Sequence, residues 1–342
     1  MLKTGSEHLR IVWLDILRGV GISLVVLGHC LPECLMRIWI YNFHVPLLFM
    51  LSGYLNQALH GGSKRLRIRR ILIPYAIWAI LPVSLKFAFQ SGDSSITSCL
   101  SDIIPFAGFT CWNRPLWFLY ALFFVGILKP VWIVDWSPAG VYRFAKSCVP
   151  LVVFVLFVAI VSAYKPEWHN VFAWRNVLVG VVCYCLGEAV FYLGLVDKLA
   201  SRLSAVLFFL LVGSCVAFLN GGLSIYGCRY GRSIGLLAVA SVTISISLMV
   251  IFSCAESRVP KSFVLLGKCS LFIMVSHYFA LKIFGALLRS LDLHPVSAGI
   301  LEAVIVLVCY QAYFSLLSML RVDAKLPDWL GGCHLENKKG KR

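Results

Sequence analysis

Apolar runs of about 16 to 25 residues, near the length of a bilayer crossing, recur along almost the whole chain and leave few folds open to it. They cover approximately 11–31, 38–58, 71–90, 115–134, 148–163, 173–195, 204–220, 234–253, 264–288 and 296–319. No water reaches backbone groups in hydrocarbon, so each run must satisfy its own hydrogen bonds, and a helix does so. The expectation is an all-α polytopic transmembrane bundle of about ten spans. Composition agrees: 60% of the 342 residues are hydrophobic, 13% are charged and the mean hydropathy is +0.87. A soluble domain carries about 25% charged residues. Ten spans use nearly the whole length, which predicts one membrane domain over 1–320 and a basic cytoplasmic tail over 321–342, with no separate soluble catalytic domain.

The charges set the expected orientation. With the N-terminus inside, the inner segments hold Lys3 and Arg10, the cluster Lys64, Arg65, Arg67, Arg69 and Arg70, then Arg143, Lys146, Lys198, Arg202, Arg258, Lys261, Lys268, Arg321, Lys325 and four more near the C-terminus. The outer segments hold only Arg37, Lys86, Arg114, Lys165, Arg175, Arg229, Arg232 and Arg289. That asymmetry places both termini in the cytoplasm and requires an even number of spans, so losing one weak span such as 148–163 would break it. The formal charge of +16 lies between spans rather than on one face, which fits orientation and anionic lipid and not nucleic acid. Lys3 and Arg10 ahead of an apolar run resemble a signal peptide, but Asp15 and Arg18 interrupt that run and no cleavage site follows, so it reads as a retained span. The thirteen cysteines form no CxxC pair and no Cys/His metal spacing, so no metal is expected. Cys30, Cys34, Cys99, Cys111 and Cys228 fall near outer loops, where spacing alone identifies no disulfide.

The first span carries the chemistry. A charge inside a span costs about 2.5–3.5 kcal/mol on insertion scales and usually faces a cavity or a partner. Eleven helical residues return to within about 20° of the same face, so Arg18 and His29 share one, about 16 Å apart along the axis. Asp15 lies one turn before Arg18 and can pair with it. Such a pair can also serve only helix packing, and a single histidine near an interface can simply be a satisfied polar group. The three aligned residues instead describe a polar stripe facing a polar cavity.

The second span opens with Tyr41-Asn42-Phe43-His44-Val45-Pro46. As an antiparallel neighbour it brings His44 to the level of His29, and two imidazoles at one depth suit proton transfer near neutral pH. Alternatively, Pro46 kinks the helix and His44 bonds a freed carbonyl. Lys64, Arg65, Arg67 and Arg70 follow within a few residues of each other. Orientation and lipid contact explain part of that density. Guanidinium forks also match phosphate oxygens, which points to a nucleotide or coenzyme A.

These segments together resemble the membrane acyltransferase-3 family. Trp13-Leu14-Asp15-Ile16-Leu17-Arg18-Gly19 followed by His29 is similar to its first-span motif. Phe43-His44-Val45-Pro46-Leu47 with Ser52-Gly53-Tyr54 is similar to its second. Arg67-Ile68-Arg69-Arg70 resembles its RxxR, and Pro115-Leu116-Trp117-Phe118-Leu119 its mid-chain segment. Leu266-Gly267-Lys268-Cys269-Ser270-Leu271 leading to His277 resembles its late helix, although the family's Tyr-rich approach reads Phe272-Ile273-Met274-Val275 here. The motifs occur in order from Arg10 to His277.

The resemblance implies about ten membrane helices and transfer of an acyl group, often acetyl, from cytosolic acetyl-CoA or another acyl-CoA. The acceptor it implies is a hydroxyl of a glycan or lipid-linked sugar of the cell envelope, at a bacterial inner membrane beside polysaccharide biosynthesis proteins. Carried over by residue, His29 is the catalytic histidine, Arg18 its partner and Arg67 and Arg70 the coenzyme A contacts, with Lys64 and Arg65 beside them. A hydroxyl needs a base before it attacks. His29 fills that role, or carries the acyl group transiently, while Arg18 or His277 stabilises the oxyanion; Asp15 and His44 complete the expected catalytic set. The outer loop 91–114, the longest, is the expected acceptor-facing lid. Two other readings remain at this stage: a transporter or flippase-like protein whose buried ions line a path, and a non-catalytic assembly subunit for polysaccharide export.

Overall fold

The computed structural model describes residues 11–58, 64–89, 113–130, 137–164, 173–288, 291, 293–319, 325–326 and 333–334. Helices account for nearly all of them. In chain order they are α1 Val12–Cys30, α2 Leu35–Tyr41, α3 His44–Ala58, α4 Lys64–Phe89, α5 Trp117–Leu128, α6 Pro138–Tyr164, α7 Trp174–Tyr192, α8 Leu195–Ala200, α9 Leu203–Asn220, α10 Ile234–Cys254, α11 Lys261–Lys268, α12 Ser270–Leu288 and α13 Pro295–Met319. Among the described residues eight segments are long and apolar enough to cross a membrane: α1, the joined α2–α3 segment, α6, α7, α9, α10, α12 and α13. The 26-residue α4 and the shorter apolar helix Arg114–Leu128 stand where the other two spans were expected. The weak span 148–163 is present, as part of α6, despite Pro150 in its interior.

Packing explains why the apolar excess needs lipid. On α6, Val149, Val152, Val153, Leu156, Phe157 and Ile160 are all exposed. Their spacing follows one helical face, so the helix turns an apolar stripe outward. In water a surface of that kind would be an aggregation liability. A contiguous core runs through the bundle, from Leu14 and Leu17 on α1 through Phe43, Phe49 and Leu119 to Val306 and Phe314 on α13.

Two helix pairs meet backbone to backbone. A Cβ on Gly187 of α7 would lie 1.9 Å from the Met50 carbonyl oxygen of α3, and one on Gly53 would lie 2.0 Å from that of Tyr184. Between α1 and α11 the same relation joins Gly19 to Phe263 and Gly267 to Asp15. Without an apolar driving force between helices in lipid, small residues gain association by letting backbones touch.

Two expected spans are broken. The second divides at Asn42–Phe43, where the Asn42 amide donates to the carbonyls of Ile38, Ala217 and Gly221 at 2.9, 3.3 and 3.2 Å. A side chain that competes for backbone carbonyls in this way ends a helix. Pro46 therefore does not kink the span: it sits in the first turn of α3, where a missing N–H costs nothing. The ninth expected span, 264–288, is two helices, α11 and α12, meeting at Cys269. Within the segment expected as a tail, Lys325–Leu326 pairs antiparallel with Cys333–His334, and the remainder of 321–342 lies outside the described residues. Cys30 and Cys34 are in the thiol form, the Cys228 thiol donates to Asn176 Oδ1 at 3.7 Å, and Cys99 and Cys111 lie outside the described residues.

Candidate active site

The polar stripe of α1 meets α12 at two levels. At the lower one Arg18 Nη1 stands 3.9 Å from Asp15 Oδ1, a loose ion pair, and Arg18 Nη2 donates to Ser270 Oγ at 3.2 Å. Asp15 is buried and Arg18 half-buried. The α1–α11 backbone contact makes this junction, because Gly267 brings the end of α11 against Asp15 and thereby sets Ser270, the first residue of α12, beside Arg18.

At the upper level the rings of His29 and His277 lie 5.4 Å apart, centroid to centroid, tilted by 37°. Arg18 with Ser270 and His29 with His277 means that α1 and α12 run in the same direction. The axial rises agree: about 16 Å from Arg18 to His29 and about 10 Å from Ser270 to His277, with the length of the arginine side chain closing the difference.

Hydrogen bonds assign the tautomers. His277 is fully buried, and its Nδ1 lies 2.9 and 3.0 Å from the carbonyl oxygens of Ile273 and Met274. A carbonyl only accepts, so Nδ1 carries the proton and Nε2 of the neutral ring keeps its lone pair. Among the described residues that Nε2 has no hydrogen-bond partner. His44 is arranged alike, its Nδ1 donating to the Ile40 carbonyl at 2.8 Å. The expected carbonyl bond of His44 thus exists, but to the end of α2 and not to a carbonyl freed by Pro46. The departure Phe272-Ile273-Met274-Val275 does not disturb His277, because its partners are backbone oxygens that any side chain leaves in place. Asn113, ahead of the Pro115-Leu116-Trp117 segment, donates to the Val275 carbonyl at 2.8 Å and steadies the same turn.

His29 remains accessible. It lines a cleft with Val25, Tyr41, His44, Pro115, Trp117, Phe118, Met274 and residues 223–226. Tyr41 bridges the histidines, its ring 6.4 Å from that of His29 and 5.0 Å from that of His44, and the Arg37 guanidinium sits 5.0 Å above it. The structure therefore brings Asp15 to Arg18, and His29 to His44 and His277. Sequence reasoning had no role for Tyr41, Ser270, Asn113 or residues 223–226.

The basic residues lie elsewhere. Lys64, Arg65 and Arg67 occupy the first turns of α4, and Arg69 and Arg70 are exposed. This helix begins just beyond the far end of α3, and α3 spans about 22 Å from His44. The basic residues thus stand at the opposite end of the bundle from the histidines. The loop 91–114 lies outside the described residues apart from Asn113 and Arg114. Among the described residues no group of three or more His, Cys, Asp or Glu could hold a metal ion.

A second buried polar cluster lies away from the histidines. Glu188 of α7 is 0% exposed, and its Oε1 takes bonds from Lys129 Nζ, Gln57 Nε2 at 2.8 Å and Asn56 Nδ2 at 3.2 Å. The Tyr192 hydroxyl donates to Gln57 Oε1 at 2.9 Å. This network ties the end of α3 to α7 and to the residue after α5. Glu188 inside the apolar run 173–195 is as anomalous as Asp15 in the first, and the same insertion-cost argument would have found it.

Comparison with known proteins bears on the whole of this arrangement. The chain is 27% identical over 213 residues to the nodulation protein NolL of Mesorhizobium japonicum, covering 53% of this chain and 55% of that protein. It is 32% identical over 133 residues to the NolL of Sinorhizobium fredii, covering 33% of this chain and 34% of that one. The chain therefore spans about half the length, or less, of the curated relatives it matches. No solved structure matches it. The acyltransferase-3 family model, described as an acyltransferase domain, matches residues 11–314, a stretch that holds every histidine of the cleft and the basic start of α4. The chain is an integral, multi-pass membrane protein and belongs to the acyltransferase-3 family.

Proposed function

We propose that this protein is a membrane O-acyltransferase that moves an acyl group, acetyl in the simplest case, from a cytosolic acyl-CoA to a hydroxyl of a glycan or lipid-linked sugar. One observation supports this most: an accessible His29 stands 5.4 Å, ring to ring, from a buried His277 whose tautomer is fixed by two carbonyls. In this reading His29 takes the proton of the acceptor hydroxyl as its oxygen attacks the thioester carbonyl. The carbon–sulfur bond then breaks, the oxygen–carbonyl bond remains, and the proton leaves with the coenzyme A thiol. His277 shares the positive charge that develops on His29, since its Nε2 can accept a hydrogen bond. His44 and Tyr41 line the acceptor's side of the cleft, and Arg18, paired with Asp15 one level below His29, supplies positive charge on the donor's side of the path rather than at the oxyanion.

Arg67 and Arg70, with Lys64 and Arg65, are the proposed contacts for the phosphates of the donor, whose arm then threads between helices toward His29. With both termini in the cytoplasm, the donor binds inside and the acceptor meets the cleft near the outer face. A bacterial inner membrane and neighbouring polysaccharide biosynthesis proteins are the setting this reading gives it. The test is labelled acetyl-CoA added to membranes containing the protein. Label in a glycan that disappears in His29→Ala is the expected result. No label in any glycan from the unaltered protein would remove the enzyme reading and favour transport or export assembly.

A further inference from the structure

Residues 221–233, between α9 and α10, are built more rigidly than a connection between two spans requires. Three asparagines from three helical segments, all at most 1% exposed, hold the segment. Asn176 of α7 donates to the Ile225 carbonyl at 2.7 Å. Asn220 donates to the Tyr230 carbonyl at 3.1 Å and to Asn42 Oδ1 at 2.9 Å, and accepts from the Ser233 amide at 3.1 Å. Asn42 in turn donates to the Gly221 carbonyl at 3.2 Å. Ser224 and Arg229 pair through both their backbone groups, at 2.8 and 2.9 Å. Gly231 has φ +77°, and a Cβ there would lie 2.5 Å from Asn220 Nδ2. Burying polar groups costs free energy unless each is bonded, so a fully bonded network fixes one conformation.

That conformation places Leu223, Ser224, Ile225 and Tyr226 along the cleft that holds His29 and His44. Asn42, two residues before His44, ties the network to the start of α3, which carries that histidine. A loop that merely linked two helices would turn polar groups to water. This one turns apolar and aromatic groups toward the histidines, where Tyr226 joins Tyr41 and Trp117.

We infer that the 221–233 segment is the acceptor-selecting wall of the cleft, with Tyr226 offering an aromatic face to a sugar ring and Leu223 limiting its bulk. The inference rests on the proposed acyl transfer. Sites of this class combine apolar and aromatic lining with a few polar groups, and here the histidines supply the polar ones.

The test uses membranes containing the full chain, [14C]acetyl-CoA, and the total glycolipid and oligosaccharide extract of the producing cell as the acceptor pool. Tyr226→Ala should raise the extract concentration that half-saturates labelling by about tenfold, the scale of one lost aromatic contact, and leave the KM for acetyl-CoA within about twofold. Leu223→Trp should narrow the set of labelled products resolved by chromatography. If Tyr226→Ala fails to accumulate, Leu223→Trp decides, since it only adds bulk to a half-buried wall. Unchanged half-saturation and product pattern, with label still lost in His29→Ala, would overturn the wall and spare the enzyme. Label that survives His29→Ala, or never forms, would overturn both.

Discussion

Replacing Gly267 by alanine tests whether the α1–α11 backbone contact positions the site. The added Cβ would lie 1.8 Å from the Asp15 carbonyl oxygen and 2.7 Å from its carbon, where ordinary contact begins at 3.4 Å. The deficit is about 1.6 Å, and the obstructing atoms are helix backbone, which cannot rotate away. Either α11 moves off α1 or both helices distort. Overpacking costs about 1–3 kcal/mol in well-packed cores, and a clash with backbone belongs at the upper end. The displacement passes to Ser270, the partner of Arg18 at 3.2 Å, and along α12 to His277. A 1 Å misplacement at a reacting centre costs about 100-fold in rate. Gly235→Ala in α10 is the control, because the Cβ there meets only Ser233 Oγ, at an ordinary 3.4 Å. Thermal unfolding of both variants in detergent, followed by size-exclusion chromatography, should show Gly267→Ala several degrees below the unaltered protein and Gly235→Ala beside it. Labelling by acetyl-CoA in membranes normalised for protein should fall by one to two orders of magnitude in Gly267→Ala alone. Normal melting and normal labelling of Gly267→Ala would refute the role of this contact.

Glu188→Leu should destabilise the protein by about 3–5 kcal/mol, since it leaves the largely buried Lys129 without its carboxylate; adding Lys129→Met should recover most of that loss in the same melting assay, and failure to recover would deny the pair its coupling. Arg67→Ala with Arg70→Ala should raise the apparent KM for acyl-CoA with little change in kcat, whereas a loss of protein level alone would assign these residues to topology. Asn176→Ala should cost about 1–3 kcal/mol, the penalty of leaving the buried Ile225 carbonyl unsatisfied, measured by melting, with limited proteolysis locating the new cleavage within 221–233.

Much of the architecture was legible because lipid constrains sequence so strongly. A run such as 204–220 has one stable form in hydrocarbon, and it appears as α9 within a residue at its start. Helix breaks were not legible. The run through Leu266 to Leu288 shows no Pro, and its division at Cys269 follows from Gly267 docking on α1, a tertiary contact that periodicity does not encode. In the second span the visible signal, Pro46, pointed to the wrong residue, because the competing amide of Asn42 acts through partners about 175 positions away on α9.

The site divides in the same way. Asp15, Arg18 and His29 announce themselves as charges in an apolar run, and helical geometry alone places them on one stripe. His277 joins them only through folding, 248 residues from His29. Tyr41 and residues 223–226 carry no charge in a span and so gave no signal; their place beside the histidines depends on the three asparagines. Glu188 gives a signal of the same kind as Asp15, and its partner Lys129 lies within the expected span 115–134.

Acyl transfer by His29 is tested most directly in purified protein reconstituted into vesicles, with [14C]acetyl-CoA and the glycolipid extract as the two substrates. The account predicts labelled glycan with the unaltered protein, and none above background with His29→Ala at equal melting temperature. Equal labelling by His29→Ala would contradict it.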